Sequence, residues 1–85
     1  MSIRILLVED DDHICNTVRA FLAEAGYQVD ACTDGNEAYT KFYENTYQLV
    51  ILDIMLPDIS GFDLCSQIRV RSSVPIIFLT ALADE

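Results

Sequence analysis

The residues best placed to do chemistry in this sequence are acidic side chains that directly follow apolar runs. Asp53 follows the run at positions 49–52, and Glu9 and Asp10 follow the run at positions 3–8. Such runs are typical of strands buried on both faces, because almost no polar residue interrupts them. Since open parallel sheets bind ligands at the carboxyl ends of their strands, the three carboxylates are candidates for one shared site.

Such a cluster of acids predicts a bound cation. Two like charges repel by about 4 kcal/mol at a separation of ~4 Å and an effective dielectric constant near 20. A cation or a protonated member must offset this repulsion. Hard oxygen ligands favour Mg²⁺ over Zn²⁺, and the backbone carbonyl of Met55, just past Asp53, is a candidate for a further ligand.

A carboxylate beside Mg²⁺ can attack a phosphoryl group and form an aspartyl phosphate. The sequence contains no phosphate-binding loop of the G-x-x-x-x-G-K-[ST] type, so the phosphoryl donor must be another molecule. Thr80 follows the fourth apolar run, where its hydroxyl could donate to a phosphoryl oxygen near Asp53 or cap a helix. Asp11 and Asp12 are interpreted as surface acids at the start of a helix, where the helix dipole favours them.

The rest of the chain supplies the elements that must position these acids. Apolar residues recur at helical spacing from Ile14 to Ala25, and Gly26 is placed to end that helix. Two further helices are predicted over positions 37–43 and after Ser60, and two further strands over positions 27–32 and 74–79. The resulting order, β-α-β-α-β-α-β with short connections, predicts a doubly wound α/β fold with a parallel sheet and right-handed crossovers.

Composition narrows the possible functions. The 85 residues are enough for one small domain. A net charge of −9 argues against direct nucleic-acid binding by this segment, which would need a basic face. Cys15, Cys32 and Cys65 show no metal-binding spacing and are interpreted as small core residues in a reducing cytosol. No secretory or membrane-spanning segment is visible, so the expected location is the cytoplasm.

Three motifs together resemble the receiver domain of bacterial two-component response regulators. They are Ile5-Leu-Leu-Val-Glu-Asp-Asp, Leu49-Val-Ile-Leu-Asp-Ile-Met-Leu-Pro-Asp-Ile-Ser-Gly and Pro75-Ile-Ile-Phe-Leu-Thr-Ala. Their order and spacing agree with the family over essentially the whole chain. The Glu-Asp form of the acidic pair is similar to the branch that carries a C-terminal winged-helix DNA-binding domain.

The resemblance implies an incomplete flavodoxin-like sheet of strand order 2-1-3-4. It implies that Asp53 is the phosphoacceptor and that Thr80 is the switch hydroxyl. It also implies a Mg²⁺ site formed by Glu9, Asp10, Asp53 and the Met55 carbonyl. The implied partner is a sensor histidine kinase, and the implied role is regulation of a DNA-binding output outside this chain rather than enzymatic turnover.

The family also has a Lys at the end of a fifth strand, and this sequence ends at Glu85 before such a position. We therefore expect residues 1–85 to form a partial receiver domain in which phosphorylation is slowed. We also expect self-association through the apolar edge of the fourth strand, Ile76 to Leu79.

Two alternatives to a phosphoacceptor stay open at this point. One is an interaction module without phosphorylation chemistry. The other is a phosphatase with an Asp nucleophile of the haloacid-dehalogenase kind. That class requires a second Asp two residues after the first, and this sequence has Met55 there.

Overall fold

The computed structural model describes residues 3–79, in which four strands alternate with three helices. The predicted order of elements is therefore confirmed over these residues. The strands are β1 (Arg4–Val8), β2 (Gln28–Cys32), β3 (Leu49–Asp53) and β4 (Ile76–Leu79). The helices are α1 (Asp12–Glu24), α2 (Gly35–Glu44) and α3 (Gly61–Arg71).

The strands form one parallel sheet in the order β2-β1-β3-β4, as predicted. The first strand therefore lies between the second and the third. In the pairing of β1 with β3, Val8 lies opposite Leu52. The residues that follow these two positions consequently emerge side by side at the carboxyl edge of the sheet.

Alternation along the strands divides the core into two layers. Leu6, Val8 and Leu52 point toward α2 and α3, where they pack with Ala38 and Leu64. The intervening residues, Ile5, Leu7 and Ile51, pack on the opposite face against Cys15, Val18 and Leu22 of α1. Helices thus cover both faces of the sheet, which explains why β1 and β3 are apolar apart from one charged residue at an end of each.

The helix boundaries follow local chemistry. Asp11, Asp34 and Ser60 are the N-cap residues of α1, α2 and α3, and each side chain accepts a hydrogen bond from a backbone N–H of the first turn. After α1, Gly26 adopts a φ of +99°, a conformation that side chains with a Cβ rarely take. The predicted stop at Gly26 is therefore confirmed.

Strand β4 begins two residues later than predicted, at Ile76 instead of Val74. Pro75 has no N–H to give to the ladder, and only its carbonyl takes part, accepting from the backbone N–H of Val50 at 3.0 Å. The ladder with β3 therefore starts only at Ile76, which lies opposite Val50. Val74 is nevertheless buried and belongs to the core.

The cysteines behave as the sequence predicted. All three are free thiols; Cys15 and Cys32 are buried, and Cys65 packs partly buried against the core. Burial raises the pKa of Cys32 to about 12, so this thiol stays neutral. Among residues 3–79, no helix has the length and apolarity needed to cross a lipid bilayer.

Candidate functional site

An acidic cluster lies at the carboxyl edge of the sheet, where β1 and β3 end together. Carboxylate oxygens of Glu9, Asp10 and Asp53 all lie within 4.8 Å of one another. Asp53 is the last residue of β3, and the other two follow β1 directly. The structure therefore brings together the three carboxylates that the sequence singled out.

Two of these acids are buried, although each carries a potential charge. Glu9 is 3% exposed and Asp53 is 8% exposed, whereas Asp10 lies at the surface. The Glu9 backbone N–H donates to the carbonyl of Cys32 at 3.1 Å, which continues the β1–β2 ladder. Its carboxylate accepts from the Asp11 backbone N–H at 3.0 Å. Glu9 is thus held through its backbone by one hydrogen bond and through its side chain by the other.

The electrostatics of the cluster are those of an anionic site without enough positive charge. Burial, together with the neighbouring charges of Asp53 and Asp10, raises the pKa of Glu9 to about 7, against a smaller opposing effect of the Asp11 N–H. A proton therefore stabilises the cluster when no cation is bound. A divalent cation would remove the need for that proton.

The loop that follows Asp53, residues 54–60 (the acceptor loop), folds back sharply toward the site. Met55 forms an antiparallel bridge with Ser60, and its N–H lies 3.4 Å from Asp53 Oδ1, a long contact. The Gly61 N–H donates to the Ile54 carbonyl at 2.7 Å. A Cβ on Gly61 would overlap the carbonyl oxygen of Asp53, so only glycine permits this approach.

The donor set fits Mg²⁺ better than a softer metal. It consists of carboxylate oxygens and contains no thiolate or imidazole. The Met55 side chain is 78% exposed, so any contribution from this residue would come from its backbone carbonyl. The Met55 ligand role stays a prediction, and Thr80 lies outside the described residues.

Sequence reasoning missed two parts of the surroundings. It treated Asp11 only as a helix-dipole acid, whereas its backbone N–H also holds Glu9. It assigned no role to Asp58, whose carboxylate binds the first turn of α2. The Asp-rich run after Glu9 was a usable signal for the contact between Asp11 and Glu9. No local pattern marks the contact of Asp58 with α2, since Gly35 and Asp58 are 23 positions apart.

Comparison with known proteins agrees with the geometry. The family model of the response regulator receiver domain matches residues 5–85. The chain is 74% identical over 85 residues to the regulatory protein VanRB of Enterococcus faecalis, covering 100% of this chain and 39% of VanRB. In structure it resembles the chemotaxis response regulator CheY4 of Vibrio cholerae, with a TM-score of 0.92 and 30% identity over 99% of this chain and 72% of CheY4.

Two solved structures of the response regulator TrrA of Thermotoga maritima are also similar, both at 41% identity. One holds Mg²⁺-BeF, with a TM-score of 0.89 over 95% of this chain and 71% of TrrA. The other is a complex with the histidine kinase ThkA, with a TM-score of 0.87 over 96% of this chain and 72% of TrrA.

The chain therefore belongs to the response regulator receiver domain family, the phosphoacceptor modules of two-component signalling. The haloacid-dehalogenase alternative was wrong at the level of family. The chain spans less than half the length of the curated relatives it matches: 39% of VanRB and 36% of the transcriptional regulatory protein YclJ of Bacillus subtilis, to which it is 42% identical over 82 residues.

Proposed function

We propose that Asp53 accepts a phosphoryl group and that Glu9, Asp10, Asp53 and the Met55 carbonyl bind the Mg²⁺ this transfer requires. The observation that carries the proposal is the convergence of three carboxylates within 4.8 Å, two of them buried. Burying such a group of like charges is costly without a positive partner. A TrrA structure that contains Mg²⁺-BeF supports the same ion for this chain.

The proposed step is an in-line transfer to a carboxylate. An Asp53 oxygen attacks the phosphorus of a phosphohistidine on the donor protein, forming a P–O bond while the P–N bond breaks. The electron pair of the broken bond returns to the imidazole, which leaves neutral after taking up a proton. Bound Mg²⁺ would neutralise charge on the transferring group. Glu9 and Asp10 hold that ion beside Asp53.

The donor is proposed to be a sensor histidine kinase. Support comes from TrrA, which is 41% identical to this chain and whose structure has been solved in complex with the histidine kinase ThkA. The output is proposed to be transcriptional control, since VanRB and YclJ are regulatory proteins more than twice as long as this segment. With a net charge of −9, this segment is not proposed to bind DNA itself.

Thr80, which lies outside the described residues, stays a proposed switch hydroxyl. The cytoplasm stays the proposed location, supported by the three free cysteines, two of which are buried.

Phosphoryl uptake by the 85-residue chain tests the proposal. We expect incubation with acetyl phosphate and Mg²⁺ to add one phosphoryl group by intact mass, and Asp53→Asn to abolish the gain. Asp63→Asn is the matched control, because it replaces an exposed acid in the first turn of α3. Modification of Asp53→Asn at the wild-type rate would refute the assignment.

One observation supports the alternative of a self-associating interaction module. In the described residues, β4 pairs with β3 alone, and its Ile77 side chain is 52% exposed. An apolar edge of this kind can pair with a second copy. Light scattering on wild type and Ile77→Lys separates the outcomes: a larger species lost in the variant supports self-association, and a monomer at every concentration contradicts it.

A further inference from the structure

The tip of the acceptor loop is fastened to a helix that carries no ligand of the acidic cluster. Asp58 Oδ1 accepts from the Gly35 backbone N–H at 2.8 Å, and Asp58 Oδ2 accepts from the Asn36 N–H at 2.9 Å. These N–H groups belong to the first turn of α2, where no intrahelical acceptor exists for them. One carboxylate of the loop thus holds two consecutive amides of α2.

A close packing contact accompanies these hydrogen bonds. Ile59, the next residue of the loop, packs against the core, and a Cβ on Gly35 would overlap its Cγ2 methyl group. Gly35 has no left-handed backbone conformation, so the need for glycine here is one of space. The loop tip is therefore fixed both by polar bonds and by steric fit.

Asp58 is not required merely to cap α2. The helix has its own N-cap, Asp34, whose Oδ1 accepts from the Glu37 N–H at 2.7 Å. Of the two amides bound by Asp58, the Asn36 N–H would otherwise face solvent at little cost, since Asn36 is exposed, whereas Gly35 is buried. What the Asp58 bonds add is a tie between two distant segments. They also lower the pKa of Asp58, so it stays ionised near neutral pH.

The tie acts on the geometry at the base of the same loop. Met55 and Ser60, which pair with each other, stand on the two sides of the tip in the chain. Gly61 closes the base against the backbone of Asp53 and Ile54. With base and tip both fixed, the Met55 carbonyl has little freedom to move relative to the acidic cluster.

We propose that Asp58 is a positioning residue, which holds the acceptor loop on α2 so that the Met55 carbonyl stays in place for Mg²⁺. The proposal rests on the proposed function, because it concerns the same cation site. Asp58 acts through the loop and touches neither the ion nor the phosphoryl group. Residues that orient metal ligands from outside the coordination shell commonly change metal affinity by about 10- to 100-fold when removed.

Asp58→Ala and Asp34→Ala form a matched pair of variants. Both remove one negative charge and one cap from the same end of α2, but only the first removes the tie to the loop. We expect the Mg²⁺ Kd, measured by NMR titration, to rise about tenfold in Asp58→Ala, the lower limit for an indirect ligand support. Asp34→Ala should leave the Kd close to that of wild type. Equal Kd values for Asp58→Ala and wild type, or an equal rise in both variants, would overturn the proposal.

Amide hydrogen exchange without metal separates this proposal from the proposed function. Asp58→Ala should speed exchange at Gly35 and Asn36 and throughout the acceptor loop, while Val50 and Leu52 in β3 stay protected. If wild type fails to bind Mg²⁺, the proposed function falls, and the exchange data alone decide whether Asp58 holds the loop. Unchanged loop exchange in Asp58→Ala would refute the positioning role in either case.

Discussion

At the scale of single residues, Asp30 is the centre of a polar cluster that has no part in the acidic site. Its Oδ2 accepts from the Tyr47 hydroxyl at 2.7 Å and from Arg4 Nη2 at 2.9 Å and Nε at 3.1 Å. The Arg4 guanidinium also lies 5.3 Å from the centroid of the Tyr47 ring. Because Tyr47 is 6% exposed, its hydroxyl depends on Asp30 for a partner.

Replacing this hydroxyl should destabilise the fold. We expect Tyr47→Phe to lower the free energy of unfolding by about 1.5 kcal/mol, the lower limit for a hydrogen bond to a charged group, since Asp30 keeps some contact with water. Urea denaturation at neutral pH measures the change. Tyr43→Phe is the control, because Tyr43 is 62% exposed and its ring stays over Arg71. Equal losses in the two variants would contradict the role of Asp30.

The same cluster predicts a dependence of stability on pH. The Tyr47 hydroxyl first, and Arg4 second, hold the pKa of Asp30 below its ordinary value. The folded state then binds fewer protons than the unfolded state, so stability rises with pH. The contribution of Asp30 is complete above the unfolded pKa of about 3.9 and is lost as the pH falls through the lower folded pKa.

Urea midpoints measured from neutral pH down through this window test the prediction. The stability difference between wild type and Tyr47→Phe should shrink as the pH falls, because protonated Asp30 no longer attracts either donor. A difference that stays constant to the lowest pH at which the chain folds would show that Asp30 is not the responsible group.

At the scale of elements, the junction of β3, the acceptor loop and α3 leaves no room for a side chain at Gly61. An added Cβ would meet the Asp53 carbonyl oxygen and Ile54 Cα, which are backbone atoms that cannot rotate away. Overpacking of this kind costs about 1–3 kcal/mol. We expect Gly61→Ala to lower stability by that amount in thermal unfolding and to weaken Mg²⁺ binding, because Asp53 itself must shift.

Gly26→Ala is the control for this effect. Gly26 has a φ of +99°, and a Cβ added there would meet no heavy atom within 4 Å, so alanine strains only the end of α1. It should lower stability while leaving the Mg²⁺ Kd unchanged. Equal Mg²⁺ affinity in Gly61→Ala and Gly26→Ala would show that the loop junction does not control the site.

At the scale of the whole molecule, the acidic character of the chain gives a cation two distinct ways to act. A net charge of −9 is screened by any salt, whereas the acidic cluster is proposed to bind Mg²⁺ in particular. Ligand binding to the folded state alone stabilises it by about 1.4 kcal/mol at a concentration ten times Kd. We expect Mg²⁺ to raise Tm by more than NaCl does at equal ionic strength.

Asp10→Asn isolates the specific part of this effect. It removes the exposed member of the acidic cluster and one charge, so the Mg²⁺-specific rise in Tm should shrink, while the response to NaCl changes little. Asp12→Asn is the matched control, since Asp12 is an exposed acid of the first turn of α1 outside the cluster. Equal rises in Tm for Mg²⁺ and NaCl in wild type would contradict a specific site.

Much of the fold was predictable from local pattern. The apolar runs of β1 and β3 and the helical spacing of α1 were interpreted correctly, because burial on one or both faces leaves a regular signature in sequence. The start of β4 was misplaced, since an apolar residue before Pro75 can be buried without joining the ladder. Asp30 and Asp58 carried no signal, because their partners are remote in sequence.

The sequence by itself determined the element order, the layering of apolar residues and the acids that end β1 and β3, since each depends on neighbouring residues. Only the tertiary structure decided that Asp30 pairs with Arg4 and Tyr47 and that Asp58 binds α2. The Asp30 contacts arise because the sheet places β2 beside β1, and the Asp58 contacts arise because the acceptor loop packs against the first turn of α2. For Asp30 and Asp58, the tertiary packing and no local preference sets which donors meet the carboxylate.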